Sequence, residues 1–167
     1  MKIETNIKKI QQIADRKEDE NLAFRSFLKG QDFNKVDEIV HKLYSEIAPQ
    51  IDCLECGNCC INLRPTITDK ELDRLAEIDE VTKSDFEEKY LMQDDFEDFK
   101  YLRSVPCKYL KDKKCMIYSD RPEECRSYPY LHKDKFVSRT LGVLNNYEIC
   151  PIVFNVFELL KVEFGWR

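Results

Sequence analysis

The first fifty residues alternate apolar and polar positions with the period of an α-helix. Apolar residues recur every three to four positions in two stretches: Ile3, Ile7, Ile10 and Ala14 in the first, and Val36, Ile39, Val40, Leu43 and Ile47 in the second. We predict a helical stretch that runs as far as Gly30, followed by a second helix that is capped by Asn34 and stopped by Pro49.

The middle of the chain predicts shorter elements of both kinds. The runs 68–71 and 84–87 have the spacing of capping boxes, which predicts two short helices. The segments 107–110 and 115–118 flank a polar turn and predict a β-hairpin. The acidic run 93–98 predicts a solvated loop or a short amphipathic turn.

The remainder of the chain predicts two helices and a strand. Pro122 is expected at the first position of a short helix that ends at Tyr128-Pro129. Residues 136–141 predict a strand. Pro151 opens a last helix that is apolar on more than one side, as in a helix buried on several faces.

These patterns together predict an α+β fold that is mainly helical. We expect a small single domain with irregular cysteine-rich loops and a short β-hairpin around a metal site. Residues 1–50 would form an N-terminal helical segment, and residues 51–167 a cysteine-cluster metal-binding domain packed on it. A chain of 167 residues with 43% hydrophobic residues can bury a substantial core.

Charge and hydropathy exclude two classes of partner. The formal net charge is −5 with both signs mixed along the chain, which does not predict the basic face that nucleic acid requires. We see no apolar run of membrane-spanning length or signal-peptide character. We therefore expect a cytoplasmic protein that contacts neither membrane nor nucleic acid.

Eight cysteines change this picture, because thiols in a reducing cytosol are more often metal ligands than disulfides. Cys53, Cys56 and Cys59 follow one another with two residues between each pair. This spacing matches the loop that wraps three corners of a cubane iron–sulfur cluster. Cys150-Pro151 has the form common for a fourth, remote ligand, although bacterial ferredoxins place it close behind the run.

Cys60 complicates the ligand count, because neighbouring side chains generally diverge. We therefore do not expect Cys59 and Cys60 both to bind one mononuclear ion. Either Cys60 serves a second site with Cys107, Cys115 and Cys125, or some of these cysteines are structural or redox-active. The eight thiolates divide arithmetically into two four-thiolate sites, which we treat as a hypothesis.

The order of the cysteine motifs resembles a known family. Here Cys53 to Cys60 are followed by Pro106-Cys107-Lys108-Tyr109-Leu110, by Cys115-Met116-Ile117-Tyr118, by residues 121–129 with the sequence Arg-Pro-Glu-Glu-Cys-Arg-Ser-Tyr-Pro, and by Cys150-Pro151. In this order they resemble the YkgJ-like CxxCxxCC cysteine-cluster proteins, described as zinc- or iron-chelating domains. The resemblance covers residues 53–151.

The resemblance implies that all eight cysteines are metal ligands, with an iron–sulfur cluster, of the 4Fe-4S type, or zinc as the cofactor. Some larger relatives resemble bacterial lysine N-methylases that are associated with a cluster. This chain has four glycines and no glycine-rich dinucleotide or S-adenosylmethionine loop of the usual kind. A metal-binding core that works with a protein partner is therefore the expectation.

Other side chains near the cysteines have two interpretations each. Arg121 and Arg126 bracket Cys125, where a guanidinium would offset the charge of several thiolates or would simply cap a helix or form an ion pair. His132 is a candidate ligand or proton donor, whereas His41 is expected at the surface.

Three functions remain open from the sequence. The first is an iron–sulfur protein with a redox role or an accessory role to a partner. The second is a structural zinc-binding interaction module. The third is a metalloenzyme related to the cluster-dependent methylases. No catalytic residue is identified.

Overall fold

A computed structural model describes residues 3–93 and 99–166. It is an α+β structure that is mainly helical, as predicted. The chain divides into two compact units: one comprises residues 1–56 and 129–167, and the other residues 57–128. We call these the helical unit and the inserted unit. The division into segments 1–50 and 51–167 stays a prediction.

The helical unit contains five helices among the described residues. They are α1 (Ile7–Leu28), α2 (Phe33–Ile47), α3 (Cys53–Cys56), α8 (Phe136–Asn145) and α9 (Pro151–Glu163), with a 3-10 turn at Ala48–Gln50. The predicted stretch up to Gly30 is one continuous helix, and it ends at Leu28. The cap of α2 is Asp32 rather than Asn34, because the Asp32 carboxylate accepts from the N–H groups of Asn34 and Lys35.

The core of the helical unit lies where α2 packs against α8 and α9. Aromatic rings also pack between α1 and α9, with Phe24 of α1 edge-on to Phe157 of α9 at 5.5 Å between centroids. The predicted burial of α9 on several sides is confirmed, since its residues from Pro151 to Phe157 are all buried.

The predicted strand at residues 136–141 is wrong, because this segment is the first part of α8. Its buried residues are Phe136, Val137, Thr140 and Val143, and this is the spacing of one helix face. The carboxylate of Asp37 in α2 accepts from the N–H groups of Lys135 and Phe136, at 2.7 and 2.8 Å. This contact between helices, which local periodicity does not record, stabilises the start of α8.

The inserted unit is built from short elements. Its helices are α4 (Asn58–Asn62), α5 (Asp69–Ile78), α6 (Lys83–Tyr90) and α7 (Glu123–Ser127), with a 3-10 turn at Tyr118–Asp120. Its strands are β1 (Thr66–Ile67), β2 (Leu91–Gln93), β3 (Lys100–Leu102), β4 (Leu110–Lys111) and β5 (Lys114–Cys115). The predicted acidic loop at 93–98 lies outside the described residues from position 94 onward.

Both sheets of the inserted unit are antiparallel. The first has the order β1-β3-β2, and the second is the predicted hairpin, with Leu110 opposite Cys115. The core beneath them consists of Ile67, Leu72, Leu75, Ala76, Phe86, Leu91, Leu102 and Tyr109.

Two helix starts in this unit differ in detail from the prediction, while the capping box at Thr68 and Glu71 is confirmed. The cap of α6 is Thr82 rather than Ser84, and Pro122 precedes α7 as its cap residue. Among the described residues, no helix combines the length and the apolar composition that crossing a bilayer requires.

Candidate metal centre

The segment from Cys53 to Cys60, which we call the cysteine run, lies in two short helices, α3 and α4, rather than in a plain loop. Gly57 separates them with a left-handed backbone, φ +58°. A Cβ atom at this position would lie 2.6 Å from the carbonyl oxygen of Lys113. Glycine is therefore needed both for the left-handed turn and for the close approach of the hairpin turn to the start of α4.

None of the eight cysteines is in a disulfide, and they differ in exposure. Cys150 is buried, Cys53 is exposed, and the other six are partly buried. Partial burial leaves these sulfur atoms within reach of a metal ion while shielding them from bulk solvent.

In the inserted unit, Cys60, Cys107 and Cys115 lie on adjoining backbone. The N–H of Cys107 donates to the carbonyl of Cys60 at 2.8 Å. The carbonyl of Cys107 accepts from Leu110 at 3.0 Å, and Leu110 faces Cys115 across the hairpin. The hairpin therefore brings Cys107 and Cys115 to the end of the cysteine run.

Cys125 joins this group through α7, which carboxylate contacts hold in place. Glu124 accepts from the N–H of Thr66 at 2.5 Å, and the N–H of Glu123 donates to Glu71 at 2.6 Å. The Cys125 thiol lies near enough to Cys60, Cys107 and Cys115 that the charge of each raises its pKa. We refer to Cys60, Cys107, Cys115 and Cys125 as the Cys60 group.

Burial and mutual repulsion oppose ionisation within the Cys60 group. Burial first, and then the charges of the other three thiols, raise the pKa of Cys125 to about 12. Burial and the charge of Cys60 likewise raise the pKa of Cys107 and of Cys115. A bound cation would reverse this balance by compensating the negative charges.

Backbone N–H groups favour the thiolate form at two of these sulfurs. The N–H of Tyr109 donates to Cys107, and the N–H of Ile117 donates to Cys115; each contact lowers the pKa of its thiol against the effect of burial. In both cases the donor lies two residues after the cysteine. The hairpin thus supplies the hydrogen bonds that a metal-bound thiolate accepts.

Cys60 differs from the other members, because the neighbouring Cys59 thiol donates a hydrogen bond to it. This contact lowers the pKa of Cys60 to about 7, although burial acts in the opposite direction. Cys60 is therefore the thiol of this group that is most readily ionised near neutral pH.

The helical unit holds a second group of thiols: Cys53, Cys56 and Cys150, which we call the Cys150 group. Cys150 immediately precedes α9, and the N–H groups of Ile152 and Val153 donate to its sulfur. Burial, which is the larger effect, together with the charges of Cys53 and Cys56, raises the pKa of Cys150 to about 12.

Two further residues that sequence reasoning did not single out lie near the thiols. Tyr44 of α2 is close enough to Cys53 and Cys150 that burial, followed by their charges, raises the pKa of its phenol. Lys108 lowers the pKa of Cys107. The Lys108 ammonium pairs with Asp79 and lies 3.6 Å from the ring centre of Tyr90. Lys108 could have been identified from its position directly after the motif cysteine Cys107. No local sequence feature indicated that Tyr44 lies near the thiols.

The two candidate arginines have different surroundings. The positive charge of Arg121 lowers the pKa of Cys115. The Arg121 guanidinium lies 3.7 Å from the ring centre of Tyr118. Arg126 donates to the backbone carbonyls of Ser119 and Arg121, and so ties the segment before α7 to the helix. The proposed charge-compensating role of both arginines stays a prediction.

The histidines lie in the helical unit. His132 is exposed, with its ring 6.0 Å from that of Tyr44. His41 is partly buried, and its Nε2 lies 3.9 Å from a carboxylate oxygen of Asp134. The role of His132 as a ligand or proton donor stays a prediction.

The donor chemistry of both groups suits zinc or iron, since thiolates are the ligands that zinc and iron–sulfur clusters share. In residues 3–93 and 99–166, no three His, Cys, Asp or Glu side chains form a ready-made ion site. Metal binding would therefore require the thiol side chains to turn toward a common centre.

Comparison with known proteins adds a family. No curated protein and no solved structure matches the chain. A family model matches residues 52–150, from the cysteine run to Cys150 and so across both thiol groups. Because this segment is more than half of the 167 residues, the chain belongs to the CxxCxxCC family, whose description is "putative zinc- or iron-chelating domain".

Proposed function

We propose that the chain holds an iron–sulfur cluster of the 4Fe-4S type and serves a protein partner in a redox or accessory role. The observation that carries this proposal is the Cys150 group. A buried cysteine preceding a long helix interacts there with both cysteines of a Cys-x-x-Cys pair. Cys59 as a further ligand rests on its spacing in the sequence.

The surroundings of Cys150 support a cluster ligand in particular. N–H donors to a cluster thiolate and exclusion of solvent are two features that tune a cluster's reduction potential. Ile152 and Val153 supply the donors, and Cys150 is 7% exposed. Tyr44 lies close enough to Cys53 and Cys150 for their charges to raise the pKa of its phenol. When bound, the cluster would supply one-electron chemistry.

A structural zinc site is the alternative function. The family description includes zinc, and four thiolates are an ordinary ligand set for a closed zinc site. Zinc would hold the cysteine segments in place and have no redox role. The two functions therefore predict different metal contents under the same conditions.

Anaerobic purification of the full chain tests the proposal. We expect brown protein with a thiolate-to-iron absorption band, and iron and sulfide in equal amounts. Cys150→Ser should remove most of this iron and sulfide. Thr140→Ser, which introduces the same residue at a buried site of α8 where the hydroxyl donates to the Val137 carbonyl, should retain both. Colourless protein that contains zinc and no sulfide would refute the cluster and support the structural module.

A further inference from the structure

We propose that the β4–β5 hairpin carries a docking surface for a protein partner that presents a cluster of carboxylates. The surface consists of Lys111, Lys113, Lys114, Met116 and Tyr118, all of which are exposed, and we call it the hairpin surface. The inference rests on the proposed function in that the chain serves a protein partner. It names the chemistry by which that partner is recognised.

The three lysines of the hairpin surface occupy positions that folding alone disfavours. Lys111 lies directly opposite Lys114 across the hairpin. Like charges that face each other on neighbouring strands destabilise the pairing. Lys113 lies in the turn with a left-handed backbone, φ +65°, where hairpins usually have glycine. Departures of this kind from local folding rules are expected at functional sites, because the function of the residues offsets their cost in stability.

The positive charge of these lysines is not neutralised within the chain. In the part of the chain that the structure describes, the hairpin lysines form no ion pair, whereas Lys83, Lys100 and Lys108 of the same unit each pair with a carboxylate. Segment 110–118 contains these three lysines and a single acidic residue, Asp112. The hairpin surface therefore has a local excess of positive charge that is available to an outside partner.

Apolar side chains lie beside this positive charge. Met116, directly after β5, is 64% exposed, and Tyr118 is 38% exposed. The Arg121 guanidinium lies over the Tyr118 ring and donates to the Tyr118 carbonyl at 2.5 Å, which fixes the orientation of the ring. Methionine, tyrosine and arginine are enriched in protein interfaces, where an apolar centre with a polar rim is the usual arrangement.

The charge of the whole chain favours a protein over other polyanions. The formal net charge is −5, so nucleic acid or an anionic membrane would meet repulsion beyond a patch of three lysines. A protein partner can present carboxylates to this patch alone. Cys115 lies between Lys114 and Met116 in the chain, so a docked partner would contact the metal-binding segment itself.

Lys111→Glu tests the surface, because it should change stability and binding in opposite directions. Glutamate at this position faces Lys114 with the opposite charge, so the free energy of unfolding should rise. The affinity for a purified acidic flavodoxin, measured by calorimetry at low ionic strength, should fall at least about tenfold. Lys113→Gly should likewise raise the free energy of unfolding and should weaken binding about threefold.

Two matched control variants lie in the helical unit. Lys42→Glu makes the same change of charge at an exposed position of α2, and it should alter the affinity by less than about twofold. Met116→Gln should weaken binding by about three- to tenfold. Val162→Gln, at a side chain that is 65% exposed, should leave the affinity unchanged.

Several outcomes would overturn the docking surface. One is an affinity that is unchanged in Lys111→Glu, or that falls together with the free energy of unfolding. Others are no binding of the flavodoxin to wild-type protein, and tighter binding to polyuridylate RNA or to vesicles of phosphatidylserine and phosphatidylcholine. A dimer of the chain that Lys111→Glu dissociates would assign the surface to a second copy instead.

These measurements separate the docking surface from the proposed cluster. Zinc in place of iron and sulfide would refute the cluster and leave the surface in place, provided that the affinities change as expected. Iron and sulfide in equal amounts, together with an unchanged affinity in Lys111→Glu, would uphold the cluster and overturn the surface.

Discussion

At the scale of single residues, Gly57 decides whether the cysteine run and the hairpin can meet. Gly57→Ala would place a methyl group against the Lys113 carbonyl and force a non-glycine residue into a left-handed backbone. The backbone conformation alone costs about 1–2 kcal/mol. We therefore expect a lower free energy of unfolding and a lower metal content, measured by denaturant titration and metal analysis.

Gly142→Ala is the matched control for this change. Gly142 lies inside α8, and nothing is within 4 Å of where its Cβ would be. Alanine there should raise the free energy of unfolding by about 0.5–1 kcal/mol, because glycine is the weaker helix former. Equal effects of the two substitutions would contradict the assigned role of Gly57.

Cys60 allows a second prediction at this scale. Its pKa of about 7 makes it substantially ionised at neutral pH in the metal-free protein, whereas Cys125, with a pKa of about 12, stays protonated. Because the thiolate is the nucleophile, iodoacetamide should alkylate Cys60 at least about tenfold faster than Cys125. Peptide mass spectrometry after timed quenching measures both rates.

The contact with Cys59 supplies the control. Cys59→Ala removes the thiol donor and should slow alkylation of Cys60, because the pKa of Cys60 then rises toward its ordinary value. Cys59→Ser keeps a donor and should retain most of the reactivity. An equal loss in both variants would show that the hydrogen bond is not the cause.

At the scale of elements, a buried lysine links α1 to α9. Lys161 donates to Glu20 at 2.7 Å, to Asn21 at 2.6 Å and to Glu158 at 2.7 Å, and its side chain is 4% exposed. Lys161→Met leaves Glu158 with Lys17 and Tyr147 as partners. We expect a loss of about 2–3 kcal/mol in the free energy of unfolding, toward the low end for a broken buried pair.

Lys9→Met is the comparison, because Lys9 pairs with Glu4 at the surface and is 61% exposed. Lys9→Met should change the free energy of unfolding by less than about 0.5 kcal/mol, because exposed ion pairs contribute little to stability. A cost for Lys161→Met no larger than this would mean that the buried network does not stabilise the helical unit.

The same network sets a dependence on pH. Burial raises the pKa of Glu158, but hydrogen bonds from Lys161, Lys17 and Tyr147 outweigh burial and leave this pKa below the ordinary 4.5. Because the pKa of Glu158 is lower in the folded than in the unfolded state, the ionised carboxylate stabilises the folded protein above pH 4.5. This stabilisation is lost as the pH falls through the folded pKa. Wild-type protein should therefore lose more stability between pH 6 and pH 3 than Lys161→Met does.

At the scale of the whole molecule, metal removal should affect the two units unequally. The helical unit packs long helices around large buried side chains such as Phe24, Phe136 and Phe157. The inserted unit has strands of two or three residues and a small core. A ligand that binds only the folded state stabilises it, and the unit with less burial depends more on that contribution.

Hydrogen exchange measures this difference. After chelation of the metal, amides in residues 57–93 and 99–128 should exchange at least about tenfold faster, whereas those of α2 and α9 should change less. Re-addition of zinc should restore protection around β4, β5 and α7 if the Cys60 group binds it. Uniform acceleration in both units would contradict this expectation.

The sequence by itself indicated metal chelation by thiols and much of the secondary structure, because both leave local patterns along the chain. Helical periodicity located α1 and α2, the capping box located α5, and cysteine spacing identified the family that the comparison confirmed. Local signals were weaker at element ends, where Asp32 and Thr82 took the place of the predicted caps, Asp32 by accepting two backbone hydrogen bonds and Thr82 by accepting one.

Only the tertiary structure decided which distant residues meet. Segment 136–141 reads locally as a strand, but burial against α2 and the Asp37 contacts make it a helix. Cys60 approaches Cys107 through a backbone hydrogen bond between segments far apart in sequence, and no spacing rule encodes such a contact. Hydrogen bonds and burial across the chain choose among the pairings that local patterns allow, and the fold therefore supplied the contacts behind a grouping of the thiols that the sequence offered only as one alternative.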